Sequence, residues 1–328
     1  MKTARLWIVL AGAILVGSSL GATAARADGL PVLGVDVGAT GVATPSGHAR
    51  YVTIPAGADT VVARVDAHGG RIGASQLLPG TFTIPAVAYD GSASGLSGDG
   101  HTLILIEPRA SFPRAETRLA VLHTRPLLWR TTITLAGDFS FDAVSPDGSS
   151  LYLIQYTSAL DPTKYNVRVY ELDSSRLVKA PIVDPHERGE KMRGRPLTRA
   201  TSSDGRWAYT LYDGAGKAPF VHALDTSNRT ARCIDLDALA GTDLTRLGLK
   251  LDNRRGLLAV TWGARPALNV DLATFQVRPP STGTSGFPWL LATLLALGVL
   301  VIASVLPSRF RIGRRASGSG SSSPHRAA

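Results

Sequence analysis

The residues best able to do chemistry in this chain sit in fragments that each fall one side chain short of a working set. His186-Glu187 opens like a zinc hydrolase helix, in which a second histidine four residues on grips the metal while the glutamate takes a proton from water. Glu190 holds that second place, in a loop with Gly189 and Gly194. Gly91-Ser92-Ala93-Ser94-Gly95 has the glycines of a nucleophile elbow, but Ala93 stands where the serine must be. Gly214-Ala215-Gly216-Lys217 matches the end of a phosphate loop, with Leu211 in place of its first glycine. His48, His68, His101, His123 and His222 are scattered singly, and the lone Cys233 excludes an intramolecular disulfide and any cluster built from several cysteines. Set among Ala231, Ile234 and Leu236, Cys233 reads as a small buried apolar side chain. The expectation is no catalytic set, no metal and no cofactor.

Recognition chemistry is better represented. The segment from Asp184 to Arg195 carries His186, Glu187, Arg188, Lys191, Arg193 and Arg195, and Arg109, Arg114 and Arg118 lie in another polar stretch. Guanidinium groups so grouped can pair with carboxylates or phosphates on a partner. Asp66, Asp173, Asp225 and Asp271 recur at matching places, each closing a strand before a tight turn, where a short carboxylate accepts its own backbone N–H groups. Turn capping is therefore expected of them rather than a ligand ring. Asn228-Arg229-Thr230 is a glycosylation acceptor if the host modifies exported proteins.

The elements that position these residues repeat. Tight turns fall at Thr44-Pro45-Ser46-Gly47, Ser97-Gly98-Asp99-Gly100, Ser145-Pro146-Asp147-Gly148, Ser203-Asp204-Gly205 and Asp252-Asn253-Arg254-Arg255-Gly256, 48 to 57 residues apart. After each comes a run apolar on both faces, such as Leu103-Ile104-Leu105-Ile106 or Leu151-Tyr152-Leu153-Ile154. A strand covered on one side would alternate instead. A third strand follows about twenty residues later, as in Val167-Arg168-Val169-Tyr170-Glu171 and Val221-His222-Ala223-Leu224-Asp225, and then a more polar fourth. Four-stranded blades packed radially supply the double covering, so the fold expected is all-β, a β-propeller with five visible repeats.

Tyr51-Val52-Thr53 followed by Asp59-Thr60-Val61-Val62-Ala63-Arg64-Val65-Asp66 resembles the YVTN propeller repeat, and Ser145-Pro146-Asp147-Gly148 resembles the turn of WD40-like and TolB-like bacterial propellers. The resemblance covers residues 35 to 280 and implies a propeller fold; it implies no set of catalytic residues that transfers to this chain. In such a topology the loops joining strands two and three and those joining successive blades lie on one face. The long stretches Glu107 to Arg118, Thr157 to Asn166, Asp184 to Arg195 and Tyr212 to Pro219 all belong to that set. One rim thus gathers every long loop, where recognition usually sits.

The ends of the chain give location. Residues 1–27 read as a signal peptide, with Lys2 and Arg5 before an apolar run from Leu6 to Gly17 and small residues at its close. Residues 28–278 are the extracytoplasmic propeller and 279–286 a Pro/Ser/Gly stem that holds it near the membrane. Residues 287–306 are apolar and uncharged over a length that matches a transmembrane helix. The tail 307–328 is low-complexity and basic, with Arg309, Arg311, Arg314 and Arg315 just past the span, so it faces the cytoplasm and the propeller faces out. The stem also resembles a sortase signal with Pro279 in place of its leucine.

The net charge of +10 belongs to these ends: without the eight basic residues of the signal and tail, 27 of the 35 lysines and arginines face 25 acids. The basic balance is therefore a topology signal and not a mark of nucleic-acid binding. The function expected is a single-pass bacterial membrane protein whose propeller is a binding or scaffold module for a protein or envelope ligand. The competing class is a propeller enzyme, lactonase-like or quinoprotein-like, with its site at the channel mouth.

Overall fold

The computed structural model describes residues 41–187, 189 and 192–280. The expected signal peptide, most of the stem, the expected transmembrane helix and tail, and Arg188 and Lys191 lie outside the described residues. Among the described residues no helix is long and apolar enough to cross a membrane.

Five antiparallel sheets follow one another along the chain. Sheet one is β1 (Val42–Ala43), β2 (Ala49–Ala56), β3 (Asp59–Asp66) and β4 (Ile72–Leu78). Sheet two is β5 (Thr102–Ile106), β6 (Glu116–Thr124) and β7 (Leu127–Ala136). Sheet three is β8 (Phe139–Val144), β9 (Ser150–Tyr156), β10 (Tyr165–Glu171) and β11 (Arg176–Leu177). Sheet four is β12 (Pro196–Thr201), β13 (Trp207–Tyr212), β14 (Phe220–Asp225) and β15 (Thr230–Asp235), and sheet five is β16 (Leu247–Asp252), β17 (Leu257–Trp262), β18 (Arg265–Asp271) and β19 (Val277–Arg278). In every sheet sequence neighbours are hydrogen-bonded neighbours, which is the meander of a propeller blade.

Three of the tight turns share one turn chemistry. In Ser145-Pro146-Asp147-Gly148 the Ser145 hydroxyl donates to Asp147 at 2.6 Å and accepts the Ser150 N–H at 3.0 Å. The same double use of a serine recurs at Ser97 and Ser202. Gly148 closes the turn at φ 72°, a left-handed conformation that a side chain makes costly.

Burial explains the runs that are apolar on both faces. Leu103 and Leu105 pack into a core shared with Tyr51, Val62 and Leu78 of sheet one, while Ile104 and Ile106 pack into the core shared with Phe139, Leu151 and Leu153 of sheet three. Sheet three repeats the split: Tyr152 and Ile154 face Ala208, Tyr212 and Phe220 of sheet four. Tyr209 and Leu211 then face Leu258 and Val260 of sheet five. Because side chains alternate along a strand, each central strand feeds two cores, and no residue on it can be polar without cost.

The series ends differently at its two outer faces. On sheet five Lys250 and Asn269 flank Ala259 in one row, while on sheet one Ile54, Val61 and Leu77 form an apolar row in which Ile54 and Leu77 are 41 % and 54 % exposed. Among the described residues no core cluster joins sheet five to sheet one.

Sheet two departs from the expected repeat. Where its first strand was predicted, a hairpin runs from Phe82 to Leu96, pairing with β5 at the bridges Thr83 to Ile106 and Leu96 to Leu103. Its tip reaches away: the N–H groups of Tyr89 and Asp90 donate to the carbonyls of Pro196 and Leu197 on β12 at 2.9 and 3.1 Å. At the opposite end three tight turns touch one another. The Asp99 N–H donates to the Pro146 carbonyl at 2.9 Å, and a Cβ on Gly98 would lie 2.1 Å from the Asp204 carbonyl oxygen.

Candidate functional site

The long loops begin and end close to where the sequence put them: Glu107 to Ala115, Thr157 to Lys164, Val178 to Arg195 and Asp213 to Pro219 connect the strands. Three of them meet around a groove of about 680 Å³ lined by Thr157, Lys164, Tyr165, Asn166, Gly189, Met192, Arg193 and Lys217. Tyr165 anchors the groove floor, its hydroxyl lying 3.2 Å from the Gly194 carbonyl, while burial drives its own pKa far above the ordinary tyrosine value. Lys164 stands at the edge, 3.3 Å from Asp161 and 68 % exposed, and Lys217 is exposed beside it. The groove therefore sets exposed cations beside a buried aromatic side chain.

Arginines from the first long loop turn inward instead. Arg109 is 7 % exposed, donates to Asp138 at 2.5 Å, and covers the Tyr156 ring at 5.2 Å. Arg114 joins the same carboxylate at 3.4 Å and donates to the Phe139 carbonyl; burial and the charge of Arg109 lower its pKa to about 10. Arg109, read from the sequence as a partner contact, spends its guanidinium on Asp138, the residue just before β8. Arg118 pairs with Glu107 at 3.3 Å over the Phe82 ring. Arg195 pairs with Asp213 at 3.0 Å and remains half exposed.

The loop before sheet four is tied down at its root. Asp184 is 5 % exposed, and its carboxylate accepts the His186 N–H and the Cys233 N–H, both at 2.8 Å. Burial pushes its pKa up, but these bonds and the nearby Arg232 charge outweigh it and hold the group below its ordinary value. His186 itself points out, 64 % exposed, with Nδ1 3.0 Å from Asp184. Glu187 turns back toward the strands and lines a second, small cavity of about 30 Å³ together with Asp184, His222 and Cys233.

That cavity closes one end of a polar row across sheet four. Arg199, Thr210, His222 and Cys233 are register partners on β12 to β15, so they share a face. Arg199 pairs with Asp142 on β8, both side chains buried. His222 is 2 % exposed, and burial lowers its pKa to about 4. The sequence reading of Cys233 as a buried apolar side chain holds in part: it packs against the apolar core between sheets three and four, but it is partly exposed and borders polar groups. Spacing along the chain could not reveal the row, because its members come from four strands.

The recurring acids cap turns, with one correction. Asp66 accepts the His68 N–H, Asp225 those of Ser227 and Asn228, and Asp271 those of Ala273 and Thr274. In sheet three the equivalent place belongs to Glu171, the last residue of β10, and Asp173 stands out in the turn, 84 % exposed and 3.7 Å from Arg130. Asn228 is exposed at its turn and donates to Asp225 at 2.9 Å.

No family model and no curated protein matches the sequence. Solved structures similar to it in fold include TolB from Acinetobacter baumannii, at 12 % identity and a TM-score of 0.37, with 74 % of this chain and 53 % of that one covered. The chain spans about half the length of that protein. A TolB-type protein from Agrobacterium tumefaciens shares 14 % identity at a TM-score of 0.39 over 73 % of this chain and 78 % of its own. A functionally unknown protein from Desulfotomaculum acetoxidans shares 13 % at 0.45, over 77 % and 73 %. The likeness is to TolB-like propellers, and it concerns fold alone.

Proposed function

We propose that this chain is an exported β-propeller, anchored in a bacterial membrane by its C-terminal apolar run, that acts as a binding module through its long-loop rim. Location is inferred from the signal-like residues 1–27 and from the arginines that follow residues 287–306. The observation that carries the binding reading is the groove of about 680 Å³ where the loops after β9, β11 and β13 meet. Grooves of this size on a rigid scaffold suit a protruding ligand group.

The cations Lys164, Arg193 and Lys217 on its walls favour a partner that inserts carboxylates or other anionic groups. His186 and Arg195 stand exposed near the same rim and extend the contact. Affinity capture from intact membranes tests this. Lys164→Glu with Lys217→Glu reverses two groove charges; the protein should fold and reach the membrane as before while losing the captured partner. Recovery of the same partner in equal amount by the double variant would refute the rim as the contact face.

A further inference from the structure

We propose that Asp184, Glu187, His222 and Cys233 form a binding site for one divalent transition metal ion of zinc-like softness. A carboxylate oxygen of Asp184, one of Glu187 and the Cys233 sulfur all lie within 4.8 Å of one another. They border a cavity of about 30 Å³, the space of a single small atom or water. His222 borders that cavity too.

His222 is the observation that points to a ligand. The ring is 2 % exposed, and among the described residues neither nitrogen makes a hydrogen bond; only the Tyr212 ring packs edge-on against it at 6.4 Å. Buried imidazoles as a rule satisfy their nitrogens.

The donor set selects the ion. A thiolate, an imidazole and two carboxylates suit a tetrahedral zinc-class cation, whereas calcium and magnesium avoid sulfur. On binding, the Cys233 thiol releases its proton to solvent and its sulfur lone pair enters the metal's coordination shell. The surroundings fit as well. Hydrogen bonds from the His186 and Cys233 N–H groups orient the Asp184 carboxylate, as partners of metal ligands usually do. Three anionic donors face Arg193, which lines the cavity, and Arg232, 3.6 Å from Asp184. The two guanidinium groups leave one negative charge over, which favours a cation there. The pairing also has a structural consequence: the metal clips the loop at Asp184 and Glu187 to β14 and β15, and so steadies one wall of the rim groove.

The test uses the full chain in detergent, stripped with chelator and titrated with Co(II), then Zn(II). The expected result is one metal per chain with a near-ultraviolet sulfur-to-cobalt charge-transfer band that zinc displaces. Cys233→Ser should abolish the band, and Glu187→Gln should weaken zinc binding by about tenfold or more. Should Cys233→Ser fail to fold, alkylation of Cys233 in the unaltered protein gives a second readout, with zinc expected to protect the thiol. Absence of the band, an equal zinc affinity in Cys233→Ser, or alkylation at the same rate with and without zinc would each overturn the site and leave the cavity to a water molecule.

Discussion

Arg199 of β12 and Asp142 of β8 form an ion pair between sheets three and four in which neither side chain is more than 4 % exposed, and Arg199 also donates to the Asp142 carbonyl at 2.9 Å. The pair joins the first strands of the two sheets. Removing one partner leaves a buried charge alone, at a cost of about 3 to 5 kcal/mol. Arg199→Met should lower stability by that amount in urea unfolding. The double variant Arg199→Met with Asp142→Leu should recover most of the loss; an additive loss would mean that the two residues act independently.

Gly98 sits where two other turns converge, so its missing side chain is a packing requirement. A Cβ there would meet the Asp204 carbonyl oxygen at 2.1 Å and Pro146 Cα at 3.2 Å, both backbone atoms that cannot swing aside. Gly98→Ala should cost about 1 to 3 kcal/mol as an overpacked site. Gly47→Ala has open space but a φ of 71°, and should cost only about 1 kcal/mol. Thermal unfolding of the two variants side by side should place Gly98→Ala lower; the reverse order would contradict the convergence of turns.

His222 predicts a specific acid sensitivity. Its folded pKa of about 4 lies below the ordinary 6.5, so between those values the unfolded chain takes up a proton that the folded one refuses. Stability is intact above pH 6.5 and falls as pH drops toward 4, by up to ~3 kcal/mol. Carboxylates such as Asp225 and Asp184, whose pKa values are depressed, lose their contribution below that window. Urea unfolding in chelator at pH 7 and pH 4.5 should show the drop, and His222→Gln should flatten it. An unchanged slope in the variant would assign the sensitivity elsewhere.

Much of the architecture was legible because propeller blades are local. The turns ending at Gly47, Gly148, Gly205 and Gly256 each separate two strands, and the double covering read from Leu103 to Ile106 is the split of those four side chains between two cores. What was missed depends on contacts between blades. Gly91 to Gly95 looked like a failed catalytic elbow; it lies in the hairpin whose tip binds β12, more than 100 residues away. Arg109 looked like a surface cation because nothing in the loop announces Asp138, and the polar neighbours of Cys233 were hidden because they come from another loop and strand. Sequence spacing reports what a strand buries, but not what it meets across a blade.

The charges in the rim groove should matter for recognition and hardly at all for stability. Lys217 is exposed, and Lys164 makes only a surface pair with Asp161. Replacing both with glutamate should shift unfolding free energy by no more than about 0.5 kcal/mol. A larger loss would show that these lysines hold the loops together.

The proposed contact face is tested most directly by photo-crosslinking in intact membranes, with a photoreactive residue placed at Lys217 on the long-loop rim or at Asp147 on the opposite, short-turn end. A discrete crosslinked partner is predicted from position 217, absent from position 147 and competed away by the double lysine reversal. A partner captured from position 147 and not from 217 would contradict the account.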